Sequence, residues 1–156
     1  MPTLRQFDLL LAAGVALATL TYPLSVGDPL FLGAWYYIAV PVVVIGAAVS
    51  LEVGPLFVFG TACALTLTYV PYWYFQASSA RPEGLLGLAH MFSLPGSLIG
   101  LAVADRVLRR LEAKRSFVLF TVGAVATFLG FLLVEFSACA MRVYCGPTAA
   151  HLLLSR

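Results

Sequence analysis

The chain has 156 residues, of which 62% are hydrophobic and 10% charged, with a net charge of +2 and a mean hydropathy of +0.98. Soluble domains carry about a quarter charged residues, so this composition excludes a water-soluble globular fold and makes lipid the solvent. Five of the nine basic residues, Arg106, Arg109, Arg110, Lys114 and Arg115, fall within 105–115; charge so localised orients a membrane protein and argues against nucleic acid as a partner.

Residues 1–8 form a short polar start with Arg5, after which 9–26 runs apolar for long enough to cross a bilayer. A cleaved signal peptide is the competing reading. No small-x-small cleavage site precedes Gly27-Asp28-Pro29, and Tyr22-Pro23-Leu24 stands where it would be, so a retained helix is expected. Between Leu30 and Phe75 the one charged residue is Glu52. As a single helix this run would reach about 69 Å against a hydrocarbon core of about 30 Å, so it must be two. Ser50-Leu51-Glu52-Val53-Gly54-Pro55 supplies the break, giving spans at 30–49 and 55–74.

A polar connection at 76–83 leads to a fourth span at 84–104, which ends at the basic loop, and a fifth follows at 116–138. The tail from Cys139 holds an apolar patch at 152–154 that is too short to cross. The expected fold is thus an all-α membrane protein, one polytopic domain over 1–156 with a bundle of about five transmembrane helices. Short Lys/Arg-rich loops resist translocation, so 105–115 is the cytoplasmic anchor; alternation then puts the N-terminus inside and the C-terminus outside. A bacterial inner membrane is the expected location.

This topology places Trp35, Tyr36, Tyr37, Tyr69, Tyr72, Trp73, Tyr74, Tyr22 and Tyr144 all near outer ends. Aromatic belts ordinarily occur on both sides, so the one-sidedness suggests an outer recognition surface in which Trp35, Tyr37, Tyr72 and Trp73 meet a protein partner, with headgroup anchoring as the plainer alternative.

His90 lies about two turns into the fourth span, with Glu83 seven residues earlier and about 10 Å away along a helix axis. The pair is read either as a polar site at an outer mouth, with a histidine able to titrate near neutrality, or as a neutral His90 bonded to a neighbouring helix and a solvated Glu83. The second reading is preferred, because the depth is modest and no further acid or ligand is evident. Glu135 and Arg142 are read as snorkelling or mutually paired. Cys139 and Cys145 fall on the expected outer side, where an oxidising compartment would join them; free thiols are the alternative. Cys63 reads as a small packing residue.

Small residues recur in the fourth span at Ala89, Ser93, Gly96, Ser97, Gly100 and Ala104, and in the fifth at Gly123, Ala126, Thr127 and Gly130. These strips suit close helix contact within the bundle or, as the less favoured reading, in a homo-oligomer. Pro41 and Pro95 interrupt two spans, with Ser93 and Ser97 at hand to satisfy freed carbonyls. There is no phosphate-binding Gly-Lys-Ser/Thr loop, His-Glu-x-x-His, Gly-x-Ser-x-Gly or metal-ligand spacing, so no enzyme, cofactor or metal is expected.

Two functions fit this layout. The first is a non-enzymatic protein that binds another membrane or periplasmic protein, as an accessory subunit or as an immunity protein against a membrane- or periplasm-acting toxin. The second is a small oligomeric transporter or channel with an outer vestibule at Glu83 and His90.

Overall fold

The computed structural model describes residues 4–27, 30, 32–78, 85–112 and 115–141. Among them are five α-helices and no strand: α1 (Leu4–Val26), α2 (Ala34–Ser50), α3 (Phe57–Ser78), α4 (Leu85–Leu111) and α5 (Ser116–Ala140). Three stretches are long and apolar enough to cross a membrane, Leu4–Val26, Gly87–Leu111 and Ser116–Ala140, which suggests a membrane protein. α2 has 17 residues, about 25 Å of helix, and α3 runs unbroken for 22 residues, with Tyr72, Trp73, Tyr74 and Gln76 in its last two turns.

The helix ends differ from hydropathy boundaries for physical reasons. α1 starts at Leu4 rather than near Leu9 because Asp8 is not a solvated flank: it is buried, and its carboxylate accepts the Phe59 N–H at 2.8 Å and the Val58 N–H at 3.4 Å. Asp8 thereby caps α3 from another helix, satisfying donors that its own first turn leaves open. The basic stretch expected as a loop is helical as far as Leu111, where Arg109 donates to Asp105 one turn back at 2.7 Å and to the Leu51 carbonyl at 2.9 Å. Glu52 at φ 52°, Gly54 at φ 148° and Leu56 at φ 68° reverse the chain between α2 and α3.

α3 touches all four other helices, and α4 and α5 form the closest pair. Glycine makes that closeness feasible. A Cβ at Gly96 would lie 2.1 Å from the Gly130 carbonyl oxygen, and one at Gly100 would lie 2.1 Å from that of Ala126. On its other side α5 receives α3, where Gly60 meets the Phe120 carbonyl and Gly123 meets that of Phe57. The small-residue strips of α4 and α5 therefore meet within one chain. α2 and α4 continue through Pro41 and Pro95. Ser93 bonds the Ala89 carbonyl at 3.1 Å, and Ser97 crosses to the Thr127 carbonyl of α5 at 3.2 Å, so neither serves the carbonyl of Met91 that Pro95 deprives of its donor.

One end of the bundle gathers the charge. Arg5 pairs with Glu52 at 3.5 Å, Asp8 caps α3, and Arg109 ties the α2–α3 turn to α4. Glu135 is the one Asp, Glu, Lys or Arg side chain among the described residues that lies toward the other end, where the aromatic rings collect.

Candidate functional site

The aromatic end is built on three helices. Residues 35, 36 and 37 follow one another at 100° around α2, so they cannot share a direction. Trp35 is 61% exposed, while Tyr36 and Tyr37 turn into the bundle. On α3, Thr68, Tyr69, Tyr72 and Gln76 recur at three- and four-residue steps and form a buried face. His90 enters from the second turn of α4. Just before it, Gly87 lets the segment at Leu30 approach, because a Cβ there would lie 2.4 Å from the Leu30 carbonyl oxygen.

His90 has no exposed surface, and both ring nitrogens are engaged. Tyr36 Oη is 2.6 Å from Nδ1, and Thr68 Oγ1 is 2.9 Å from Nε2. Thr68 also donates to the Leu65 carbonyl at 2.7 Å, which uses its single proton. Its oxygen must then accept from Nε2–H, leaving Nδ1 to accept from the Tyr36 hydroxyl. Bond accounting thus assigns the Nε2–H tautomer, with one proton direction running Tyr36, His90, Thr68, Leu65. Three helices, α2, α3 and α4, are joined by this relay.

Rings enclose the imidazole. Tyr69 stacks on it at 4.3 Å and 15°, Tyr72 meets it edge-on at 5.0 Å and 87°, and Phe131 of α5 lies at 5.0 Å. The stack continues outward from Tyr69 to Trp73 at 5.4 Å and from Trp73 to Tyr22 of α1 at 4.6 Å. Tyr37 accepts the Leu30 N–H at 3.2 Å. Among the described residues, no group of three His, Cys, Asp or Glu side chains is placed to hold a metal.

This geometry corrects the outer recognition surface expected from Trp35, Tyr37, Tyr72 and Trp73. Tyr37 and Tyr72 are 1% and 0% exposed, and Trp73 is half-buried between two tyrosines, because helix phase turns them inward at the depth where a belt was expected. Trp35 does face outward, joined by Tyr74, at 76% exposure, and Phe75. Glu135 is buried rather than snorkelling, and Gln76, expected in a polar connection, lies inside on the same helix face as Tyr69, seven residues further on.

Arg106, Arg109 and Arg110 lie exposed on the last turns of α4, and Arg115 precedes α5. Lys114, Glu83 and Cys145 lie outside the described residues, so the Glu83–His90 and Cys139–Cys145 pairs are not described together. Cys139 is disulfide-bonded and Cys63 is free. Sequence reasoning missed Tyr36, Thr68 and Tyr69 as partners of His90, and Asp8 as a cap. Only the three- and four-residue recurrence of polar side chains on α3 hinted at a buried polar face.

No protein-family model, curated protein or solved structure matches this chain.

Proposed function

We propose that the chain is a five-span protein of a bacterial inner membrane, with its N-terminus in the cytoplasm and its C-terminus outside, that acts without catalysis by binding another membrane or periplasmic protein. The cluster Arg106, Arg109, Arg110, Lys114 and Arg115 supports this orientation, since such segments resist translocation. The carrying observation is how the aromatic end divides. Its inner rings close around a fully bonded His90, whereas Trp35 and Tyr74 project from the same end with most of their surface uncovered. Exposed tryptophan and tyrosine on a rigid base are the side chains that make interface hot spots. An accessory subunit and an immunity protein against a membrane- or periplasm-acting toxin both use such a surface.

Photo-crosslinking in cells at positions 35 and 74, with the lipid-facing position 42 as control, tests the reading. A discrete protein adduct at 35 and 74 that is missing at 42, and protein capture lost in Trp35→Ala/Tyr74→Ala at unchanged protein level and melting temperature, is the expected result. Lipid adducts alone at all three positions overturn it.

Transport through an oligomer is the second reading, with a vestibule at Glu83 and His90. Its support is the set of buried polar atoms on the outer half of α3, Tyr69 Oη, Trp73 Nε1 and both amide atoms of Gln76, which make no hydrogen bond to the described residues. Groups of this kind mark places for water or a polar solute. Solute flux into liposomes that is abolished by His90→Phe favours this reading over the first.

A further inference from the structure

Two cavities adjoin between α1 and α2 and share Leu9 as a wall. The first, of about 340 Å³, opens at the charged end and is lined by Leu4, Arg5, Asp8, Ala48, Glu52 and Pro55 among others. The second, of about 500 Å³, carries on between the same two helices along Ala13, Leu17, Ile38, Val42 and Ile45. On α1 the lining advances from Leu4 through Leu9 and Ala13 to Leu20, sixteen steps or about 24 Å of helix. One leaflet is about 15 Å deep, half the hydrocarbon core. The groove is therefore deeper than a leaflet, charged at its mouth and apolar along most of its length.

The mouth carries both signs. Arg5 and Glu52 stand 3.5 Å apart, each with more than half of its side chain exposed, so both retain hydrogen-bonding capacity toward a third group. Asp8 is not available, being engaged with the first N–H groups of α3. A guanidinium presents five donors suited to a phosphate, and a carboxylate accepts from an ammonium. Adjacent opposite charges above a leaflet-deep apolar slot complement one ligand class: a glycerophospholipid whose headgroup joins a phosphate to a primary ammonium.

We propose that the α1–α2 groove holds a phosphatidylethanolamine from the leaflet at the charged end, its phosphate on Arg5, its ammonium on Glu52 and one acyl chain along Ala13, Leu17 and Val42. The proposal is independent of the protein-binding reading, because its headgroup contacts lie at the opposite end of the molecule and its ligand is a lipid.

The test uses the full chain in detergent micelles, with native mass spectrometry counting retained lipid after exchange against equal amounts of phosphatidylethanolamine and phosphatidylglycerol. One phosphatidylethanolamine per chain, preferred about threefold to fivefold, is expected; that is the scale of an exposed charge contact. Glu52→Gln should erase the preference, Arg5→Gln should lower retention of both lipids, and Ala13→Trp, which fills the slot, should abolish retention. All three positions are exposed, and unchanged melting temperatures verify the fold. Equal retention of both lipids by the wild type, retention unaffected by Ala13→Trp, or disulfide trapping of a second copy by Ala13→Cys with Val42→Cys would each overturn the proposal.

Discussion

Gly100→Ala adds one carbon at one of the two tightest approaches between α4 and α5, the other being at Gly96. That Cβ would sit 2.1 Å from the Ala126 carbonyl oxygen and 2.9 Å from its carbonyl carbon, where contacts under 3.0 Å are essentially never seen. The obstacle is backbone, so no rotamer change relieves it, and α4 and α5 must part by about 1 Å. A gap of that size forfeits about a quarter to a half of the dispersion energy of each facing atom pair. The loss extends to Gly96 and Gly130, which share the crossing, so the expected cost is about 1–3 kcal/mol, the range of an overpacked core. Gly100→Leu should cost more. The adjacent Ile99 is 61% exposed toward lipid, and Ile99→Ala should stay within about 0.5 kcal/mol of the wild type. Unfolding in mixed micelles with increasing dodecyl sulfate, followed by circular dichroism, ranks the variants. Equal transition midpoints for Gly100→Ala and Ile99→Ala would refute the close crossing.

Asp8→Ala should destabilise by about 1–2 kcal/mol in the same assay, as the loss of a good cap does, whereas Asp8→Asn keeps an accepting oxygen and should stay near the wild type. Nitrogen-15 spectra of labelled histidine should show His90 as the Nε2–H tautomer, and Tyr36→Phe should move the Nδ1 resonance while costing about 1–3 kcal/mol for the acceptor left without a donor; a predominantly Nδ1–H signal would reverse the relay. Reporter fusions after Glu52 and Arg110 should read cytoplasmic, and fusions at Ser79 and the C-terminus external; a cytoplasmic C-terminus would remove one crossing from the proposed topology.

Five helices were legible because apolar length and the break at Gly54-Pro55 are local properties of the chain. Helix ends were less so. Hydropathy marks where lipid ends, and α4 continues past that point because Asp105 and Arg109 support another turn from outside the apolar run. Asp8 misleads in the opposite direction: its partners, Val58 and Phe59, are about fifty residues away, so a local window sees only a polar flank. The aromatic end fails for want of direction. Depth along a helix placed Trp35, Tyr36 and Tyr37 together, but their phase separates one outward ring from two inward ones. His90 was legible as an unusual residue in an apolar span, yet its partners are 54 and 22 residues distant and on different helices. Nothing in a single sequence pairs them.

The position of α5 between α3 and α4 bears on biogenesis. α3 and α4 each present a glycine face to α5, which is synthesised after both. Until Ser116–Ala140 leaves the insertion machinery, Gly60, Gly96 and Gly100 have no partner helix, and the Ser97 hydroxyl lacks the Thr127 carbonyl it bonds in the finished bundle. A nascent chain halted in the loop before α5 therefore displays narrow, unfilled seams and a polar group in lipid. Those are features by which membrane proteases and chaperones can tell a bundle lacking α5 from one that holds it, and docking of α5 covers these seams together.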